Sequence, residues 1–104
     1  MKVIKTKAEF DSVLAGSPGQ LVAVDFFATW CPPCTGIAPF FEALSVKYPL
    51  VVFLKIDVDE NEETAAACEV EAMPTFKFYK DGKQVDELVG ASQADLEAKV
   101  EKNQ

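Results

Sequence analysis

A strand that we predict to be buried leads directly into a pair of cysteines, and this junction constrains the fold more than any other feature of the chain. The strand, Leu21–Phe27, is almost entirely apolar, which is typical of a central strand covered on both faces. A turn over residues 28–33 follows it, with the pair Cys31 and Cys34 at its end, and an amphipathic helical pattern comes next. A buried strand followed by a helix is part of a βαβ unit, so we expect a parallel section in the sheet.

The remaining segments alternate between strand and helix patterns, which predicts an α/β protein. Further strands are predicted at 3–4, 50–56, 75–79 and 84–89, and further helices from residue 6, over 62–70 and from residue 92. The predicted order is βαβαβαββα. We therefore expect a central mixed β-sheet flanked by helices on both faces, built as a single domain over residues 1–104.

Local signals mark the ends of several of these elements. Thr6 and Glu9 have the spacing of a helix-capping pair. Asp81-Gly82 is the strongest hairpin signal in the chain. Pro39 falls inside the helical pattern after the cysteines, and it either begins that helix or kinks it, because proline lacks the amide that the helix needs.

Charge and hydropathy exclude several classes of function. Ten basic residues against 17 acidic ones give a formal net charge of −7, and no basic stripe is present, so neither nucleic acid nor a membrane surface is an expected partner. No apolar run approaches the roughly 20 residues of a membrane span. The charged residue Lys5 comes too soon after Met1 to leave room for the apolar stretch of a secretory signal. We therefore expect a cytoplasmic protein with reduced thiols. The acidic run 57–63 is expected to be a solvated surface.

The chain contains no histidine and three cysteines. The lack of histidine excludes Ser-His and Cys-His nucleophile pairs, and zinc sites with imidazole ligands. Three cysteines cannot form a fully paired disulfide framework. A close cysteine pair in a reducing compartment therefore indicates redox chemistry or metal binding.

Cys31 and Cys34 have the spacing of a redox pair. Two intervening residues bring both sulfurs onto one helical turn, within bonding distance. The start of the helix offers unpaired amides and a partial positive charge to Cys31, which favours its thiolate, whereas Cys34 should be more shielded and less acidic. We therefore predict that Cys31 attacks a disulfide and that Cys34 resolves the mixed disulfide.

Two other interpretations of the pair remain on the residues alone. A tetrahedral metal site takes four ligands, and only Cys68 remains, so a complete site would need carboxylates or a second chain. Two unreactive core cysteines are disfavoured because a Pro-Pro turn is an exposed element. Cys68 lies among alanines in a predicted helix, where a small buried hydrophobe is expected.

Two segments of the chain resemble the thioredoxin family. They are Asp25-Phe26-Phe27-Ala28-Thr29-Trp30-Cys31-Pro32-Pro33-Cys34 and Val70-Glu71-Ala72-Met73-Pro74-Thr75-Phe76, and the resemblance extends from end to end. It is most like cytosolic eukaryotic members, including plant h-type forms. The resemblance implies the thioredoxin fold and a protein-disulfide reductase that acts by thiol–disulfide exchange through the Cys31–Cys34 dithiol.

The resemblance also implies roles for the residues around the pair. Burial should raise the pKa of Asp25, which is either an acid bonded to a local donor or, as the resemblance implies, the base that deprotonates Cys34. Trp30 is either an ordinary core residue or, as the resemblance favours, an exposed substrate platform with its indole N–H free to bond. The predicted substrate-binding residues are Trp30, Pro33, Met73, Pro74, Thr75, Gly90 and Ala91.

The bond between Met73 and Pro74 is implied to be cis and to lie against the disulfide. In that arrangement the backbone of Met73 and Thr75 is expected to pair with an extended substrate segment. The segment Gly90-Ala91 is implied to complete the docking groove.

Three residues depart from the pattern of the family. Pro32 stands where glycine is usual, and Thr35 stands where lysine or arginine is usual after the second cysteine. Phe53 aligns with a common lysine near the buried acid, so that lysine has no evident match in this chain.

The resemblance finally implies the partners of the protein. An NADPH-dependent, flavin-containing thioredoxin reductase would supply electrons, and disulfide-bearing proteins would receive them. No cofactor or metal is expected in this chain because its electrons reside on two sulfurs, and a monomer is expected. The alternatives are a redox-inactive binding module with the same fold and a dimer bridged by a metal or cluster at the cysteine pair.

Overall fold

The computed structural model describes residues 1–104, and it confirms the predicted order of the elements. The elements are β1 (Lys2–Val3), α1 (Lys7–Ala15), β2 (Leu21–Phe27), α2 (Pro32–Lys47), β3 (Val52–Asp57), α3 (Glu62–Ala67), β4 (Thr75–Lys80), β5 (Lys83–Val89) and α4 (Gln93–Asn103). None of the four helices combines the length and the apolar character that crossing a membrane requires.

β2 lies at the centre of a five-stranded sheet with the order β1-β3-β2-β4-β5. It pairs in parallel with β3 and antiparallel with β4, while β1 runs parallel to β3 and β5 runs antiparallel to β4. The mixed sheet expected from the βαβ and hairpin patterns is therefore confirmed. Because β2 is the middle strand, α2 leaves from the centre of the sheet.

Helices cover the two faces of the sheet over separate apolar clusters. On one face Phe41 of α2 packs with Phe76 and with Leu96 of α4. On the other face Phe10 of α1 packs with Phe26 of β2. Successive residues of β2 point to opposite faces, so this strand contributes to both clusters and is the part of the sheet with the deepest burial.

Helix α2 begins earlier than the sequence pattern predicted. Cys31 is its N-cap residue, and Pro32 and Pro33 occupy the first two helical positions. Proline is favoured there because an amide in the first turn has no partner within the helix. Pro39 consequently lies inside α2 rather than at its start.

Several predicted ends of elements are confirmed by hydrogen bonds and backbone angles. The Thr6 hydroxyl accepts a hydrogen bond from the Glu9 amide at 3.1 Å and caps α1. Asp81 and Gly82 both have positive φ, at 51° and 79°, as a two-residue hairpin with the twist of the sheet requires. α3 is shorter than predicted and ends at Ala67.

Candidate redox-active site

Cys31 and Cys34 form a disulfide where β2 leads into α2, with Cα atoms 5.3 Å apart. The Cys34 amide donates a hydrogen bond to Cys31 Sγ at 3.3 Å. Since Cys31 is the N-cap residue of α2, its sulfur lies at the positive end of the helix dipole. This is the environment that was predicted to stabilise a Cys31 thiolate.

Both cysteines are shielded from solvent by the surrounding chain. Cys31 is 5% exposed and Cys34 is 3% exposed, so the predicted difference in shielding has the expected direction but is small. Pro32 and Pro33 are exposed beside them. The two cysteines are therefore distinguished by their positions in the helix more than by their burial.

Asp25 lies on β2 with no exposed surface, and neither of its carboxylate oxygens has a hydrogen-bond partner. Loss of hydration raises the pKa of Asp25 to about 7, against the opposing influence of the Lys55 charge. The interpretation of Asp25 as an acid bonded to a local donor is therefore wrong. A carboxyl with this pKa can take up or release a proton near neutral pH.

A cavity of about 240 Å³ connects Asp25 with Cys34. Its polar lining also includes Thr29, Thr35 and Lys55. A cavity of this size and polarity can hold water molecules that bridge groups too far apart for a direct hydrogen bond. Asp25 and Cys34 therefore line one cavity that has room for a bridging water molecule.

Lys55 is the residue of this site that the sequence analysis missed. It is the register partner of Asp25 in the parallel pairing of β2 with β3, and its charge acts on the carboxyl. Lys55 therefore provides the lysine near the acid for which the sequence offered no evident match. A lysine two residues after Phe53 in an otherwise apolar strand was the signal, because residues two apart share a face.

Trp30 is 66% exposed, which agrees with an apolar platform rather than a core residue. Its indole N–H is not free, because it donates a hydrogen bond to Asp59 Oδ2 at 2.8 Å. That part of the prediction was wrong.

The acidic run is also less solvated than predicted, since Asp57 is 8% exposed and accepts the Asp59 amide, while Asn61 is 4% exposed and caps α3.

The bond between Met73 and Pro74 is cis, as predicted. The carbonyl oxygen of Met73 lies 3.7 Å from Cys31 Sγ, and neither the amide nor the carbonyl of Met73 has a backbone hydrogen-bond partner.

The Gly90 amide donates to the carbonyl of Pro74 at 2.9 Å. Thr75, by contrast, is 2% exposed and pairs within the sheet on both sides. Ala91 is exposed next to Gly90.

Cys68 lies apart from the redox pair, at the C-terminal cap of α3. It is half-buried rather than buried, and its sulfur accepts a hydrogen bond from the Tyr79 hydroxyl at 3.3 Å. No group of three or more histidine, cysteine, aspartate and glutamate side chains is placed to hold a metal ion.

The thioredoxin family profile matches residues 1–102 of the chain. The thioredoxin of Mus musculus is 51% identical over 100 residues, which cover 96% of this chain and 95% of that protein. The thioredoxin of Geodia cydonium is 50% identical over 101 residues, with the same shares of the two chains.

Solved thioredoxin structures share the whole fold. The Fasciola hepatica thioredoxin superposes with a TM-score of 0.99 at 47% identity, and the match covers 100% of both chains. Thioredoxin NaTrxh from Nicotiana alata superposes with a TM-score of 0.94 at 40% identity, covering 98% of this chain and 90% of that one.

Proposed function

The chain belongs to the thioredoxin family and is a protein-disulfide reductase that works by thiol–disulfide exchange, and from this premise we propose how its residues divide the reaction. The observation that carries the proposal is the position of the cysteine pair. Cys31 caps a helix, and Cys34 shares a cavity with Asp25, a buried carboxyl that lacks any partner.

In the first step the thiolate of Cys31 attacks one sulfur of the substrate disulfide. The substrate S–S bond breaks, a mixed disulfide forms, and the second substrate sulfur leaves as a thiolate that takes a proton from solvent. Support comes from the Cys34 amide, which lies 3.3 Å from Cys31 Sγ, since an amide donor at a helix start stabilises a thiolate.

In the second step Cys34 releases the substrate. Its thiol gives a proton to the Asp25 carboxylate, directly or through water in the cavity, and the new thiolate attacks Cys31 Sγ. The Cys31–Cys34 disulfide forms as the bond between Cys31 and the substrate breaks, and the leaving substrate thiolate takes a proton from solvent, which completes the substrate dithiol. Two electrons have then passed from the protein to the substrate. A pKa near 7 for Asp25 suits this role, because a base is most effective when its pKa lies near the working pH.

The substrate chain docks on the surface beside Cys31. We assign this surface to Trp30, Pro33, Met73, Pro74, Thr75, Gly90 and Ala91. Two observations support the assignment: Trp30 presents an exposed ring, and Met73 has an unused amide and carbonyl beside the sulfur. An extended substrate segment can pair with those two backbone groups.

The electrons are returned by a thioredoxin reductase that uses NADPH and a flavin. In this cycle the protein is a cytoplasmic, monomeric electron carrier without a cofactor of its own, and it maintains the thiol–disulfide balance of the cell. Reduction by a purified reductase with NADPH tests the electron donor, and gel filtration of the reduced and oxidised protein tests the monomeric state.

The roles of the two cysteines are tested by separate substitutions. Cys31→Ser abolishes the acceleration of insulin reduction by dithiothreitol, while Cys34→Ser accumulates a mixed disulfide with the substrate. A trapped adduct found with Cys31→Ser instead of Cys34→Ser would reverse the two roles.

The role of Asp25 is tested by the rate at which the mixed disulfide is resolved. Asp25→Asn slows this step at neutral pH and removes its dependence on a group that titrates near pH 7. An unchanged rate and pH profile in Asp25→Asn would reject the base role and leave the roles of the cysteines intact.

A further inference from the structure

We propose that Phe27 is a positioning residue for the proton transfer, because its ring holds the Lys55 ammonium beside Asp25 in the cavity that leads to Cys34. The Lys55 Nζ lies 4.9 Å from the centroid of the Phe27 ring, over its face. The inference rests on the proposed role of Asp25 as the base for Cys34, and it identifies what keeps the single nearby cation in place.

The pairing of the strands brings the three side chains together. Asp25 and Phe27 are two residues apart on β2 and share a face of the sheet. Lys55 is the register partner of Asp25 on β3, where the strands run parallel. All three residues line the same cavity as Cys34.

The Phe27 ring is the partner that the fold supplies to the ammonium in place of a hydrogen bond or an ion pair. Lys55 forms neither a side-chain hydrogen bond nor a salt bridge within the chain, in contrast to lysines such as Lys77 and Lys99, which pair with carboxylates. A lysine side chain has four rotatable bonds and a strongly hydrated head. Attraction to an aromatic face therefore decides whether that head stays near Asp25 or turns to solvent.

Few other charges face the carboxyl of Asp25. On β3 there are Lys55 and Asp57, which is the register partner of Phe27 and accepts the Asp59 amide. On α2 there is Cys34. The register partner on β4 is Phe76, and α4 turns the apolar Leu96 toward this face. Lys55 is therefore the one cation whose position can change the acidity of Asp25.

An ammonium near a carboxyl favours the ionised form and lowers the pKa of the acid. Held by Phe27, Lys55 keeps a larger fraction of Asp25 as the carboxylate at neutral pH than burial alone would allow. The carboxylate is the form that accepts the Cys34 proton. Phe27 thus acts on the reaction only through Lys55.

The test is a titration of the Asp25 carboxyl carbon by NMR in the oxidised wild type and four variants. In Phe27→Leu the midpoint rises by about half a pH unit, because the aromatic face is lost while an apolar side chain remains. In Phe27→Tyr, which keeps the face, the midpoint stays at the wild-type value. Lys55→Met raises the midpoint at least as far as Phe27→Leu. Adding Phe27→Leu to Lys55→Met raises it no further.

A packing role for Phe27 predicts different results from a positioning role. If the smaller leucine only let water reach Asp25, the midpoint would fall, and a fall or an unchanged midpoint in Phe27→Leu overturns the inference. An equal rise from Phe27→Leu in the presence and absence of Lys55 also overturns it.

The pH profile for resolution of the mixed disulfide separates this inference from the proposed function. In Phe27→Leu that profile moves to higher pH by the same amount as the titration midpoint. If Asp25→Asn leaves the wild-type profile unchanged, the base role fails. If Asp25→Asn removes the inflection of the profile but Phe27→Leu leaves it at the wild-type pH, only the role of Phe27 fails.

Discussion

Asp25 couples the stability of the protein to pH through its burial. The folded protein holds the pKa of this carboxyl at about 7, whereas the ordinary value is 3.8. Between these values the unfolded chain has lost the Asp25 proton and the folded chain still binds it. The folded state is therefore favoured most below about pH 4, and this advantage is lost as the pH rises through about 7.

The substitution Asp25→Asn isolates this effect. Between about pH 4 and about pH 8, we expect the free energy of unfolding of the wild type to fall by about 4 kcal/mol relative to that of Asp25→Asn. Denaturant unfolding of the two oxidised proteins across this range measures the difference. Glu42→Gln, which alters an exposed carboxylate on α2, is the control and follows the wild-type slope. Parallel slopes for wild type and Asp25→Asn would contradict the prediction.

Trp30 is oriented by a single hydrogen bond to Asp59. Because both side chains are exposed, the bond should affect docking more than stability. In Asp59→Ala we expect the KM for a protein disulfide to rise about five-fold, equivalent to the loss of about 1 kcal/mol of orientation, with stability changed by less than about 0.5 kcal/mol.

The fluorescence of Trp30, the only tryptophan in the chain, reports its release in Asp59→Ala. Glu60→Gln is the matched control, since Glu60 is an exposed neighbour in the same loop that makes no contact with the indole N–H. An equal rise in KM in both variants would assign the effect to net charge rather than to orientation.

At the scale of the elements, two glycines are expected to respond oppositely to alanine. Gly82 has a φ of +79° in the β4–β5 hairpin, where a side chain is strained. Gly36 lies within α2 with open space around its Cα, where alanine is the better helix former. We expect Gly82→Ala to destabilise the protein by about 1 kcal/mol and Gly36→Ala to stabilise it by about 0.5–1 kcal/mol. Thermal unfolding measures both, and changes of the same sign would contradict the argument.

The elements were predictable wherever a local pattern decides the structure. β2 has the predicted bounds, and the Asp81-Gly82 turn joins the predicted hairpin. Helix α2 starts earlier than its apolar pattern predicts, because the missing amides of Pro32 and Pro33 suit a helix start as well as a turn. α3 ends early because Glu69, with a φ of 58°, leaves the helical region. Positive φ is usually marked in a sequence by glycine, and a glutamate at this position gives no such signal.

The site was predictable where its residues adjoin in the sequence, and less so where the sheet brings distant residues together. Cys31 and Cys34 are neighbours on one helical turn, so their pairing followed from spacing. The pairing of Asp25 with Lys55 depends on the register of β2 against β3, and the hydrogen bond of Trp30 with Asp59 joins two loops. The alternation within one strand shows which of its residues share a face, but it does not show which residue of a neighbouring parallel strand lies opposite.

The charges of the whole molecule are distributed unevenly around the site. Residues 26–41 contain no charged side chain, and all seven charged residues between positions 56 and 76 are acidic. Since the net charge is −7, the field near the disulfide favours positively charged partners.

We expect kcat/KM for a cationic disulfide peptide to fall several-fold as the ionic strength rises from about 10 mM to about 300 mM, because salt screens the attraction. An anionic peptide of the same length should show the opposite trend, and a neutral one little change. Stopped-flow reduction of the three peptides measures this, and identical salt dependence for all three would contradict a role for charge.

The unused amide and carbonyl of Met73 have a consequence for the range of targets. Backbone groups pair with any extended segment whatever its side chains. A target that docks at Met73, as we propose, must therefore present an extended stretch of chain next to its disulfide. A disulfide in a rigid core cannot do so until that region opens. For such targets the rate of reduction would be limited by the rate at which the target opens locally. The protein would then select partners by their local flexibility rather than by a recognition sequence.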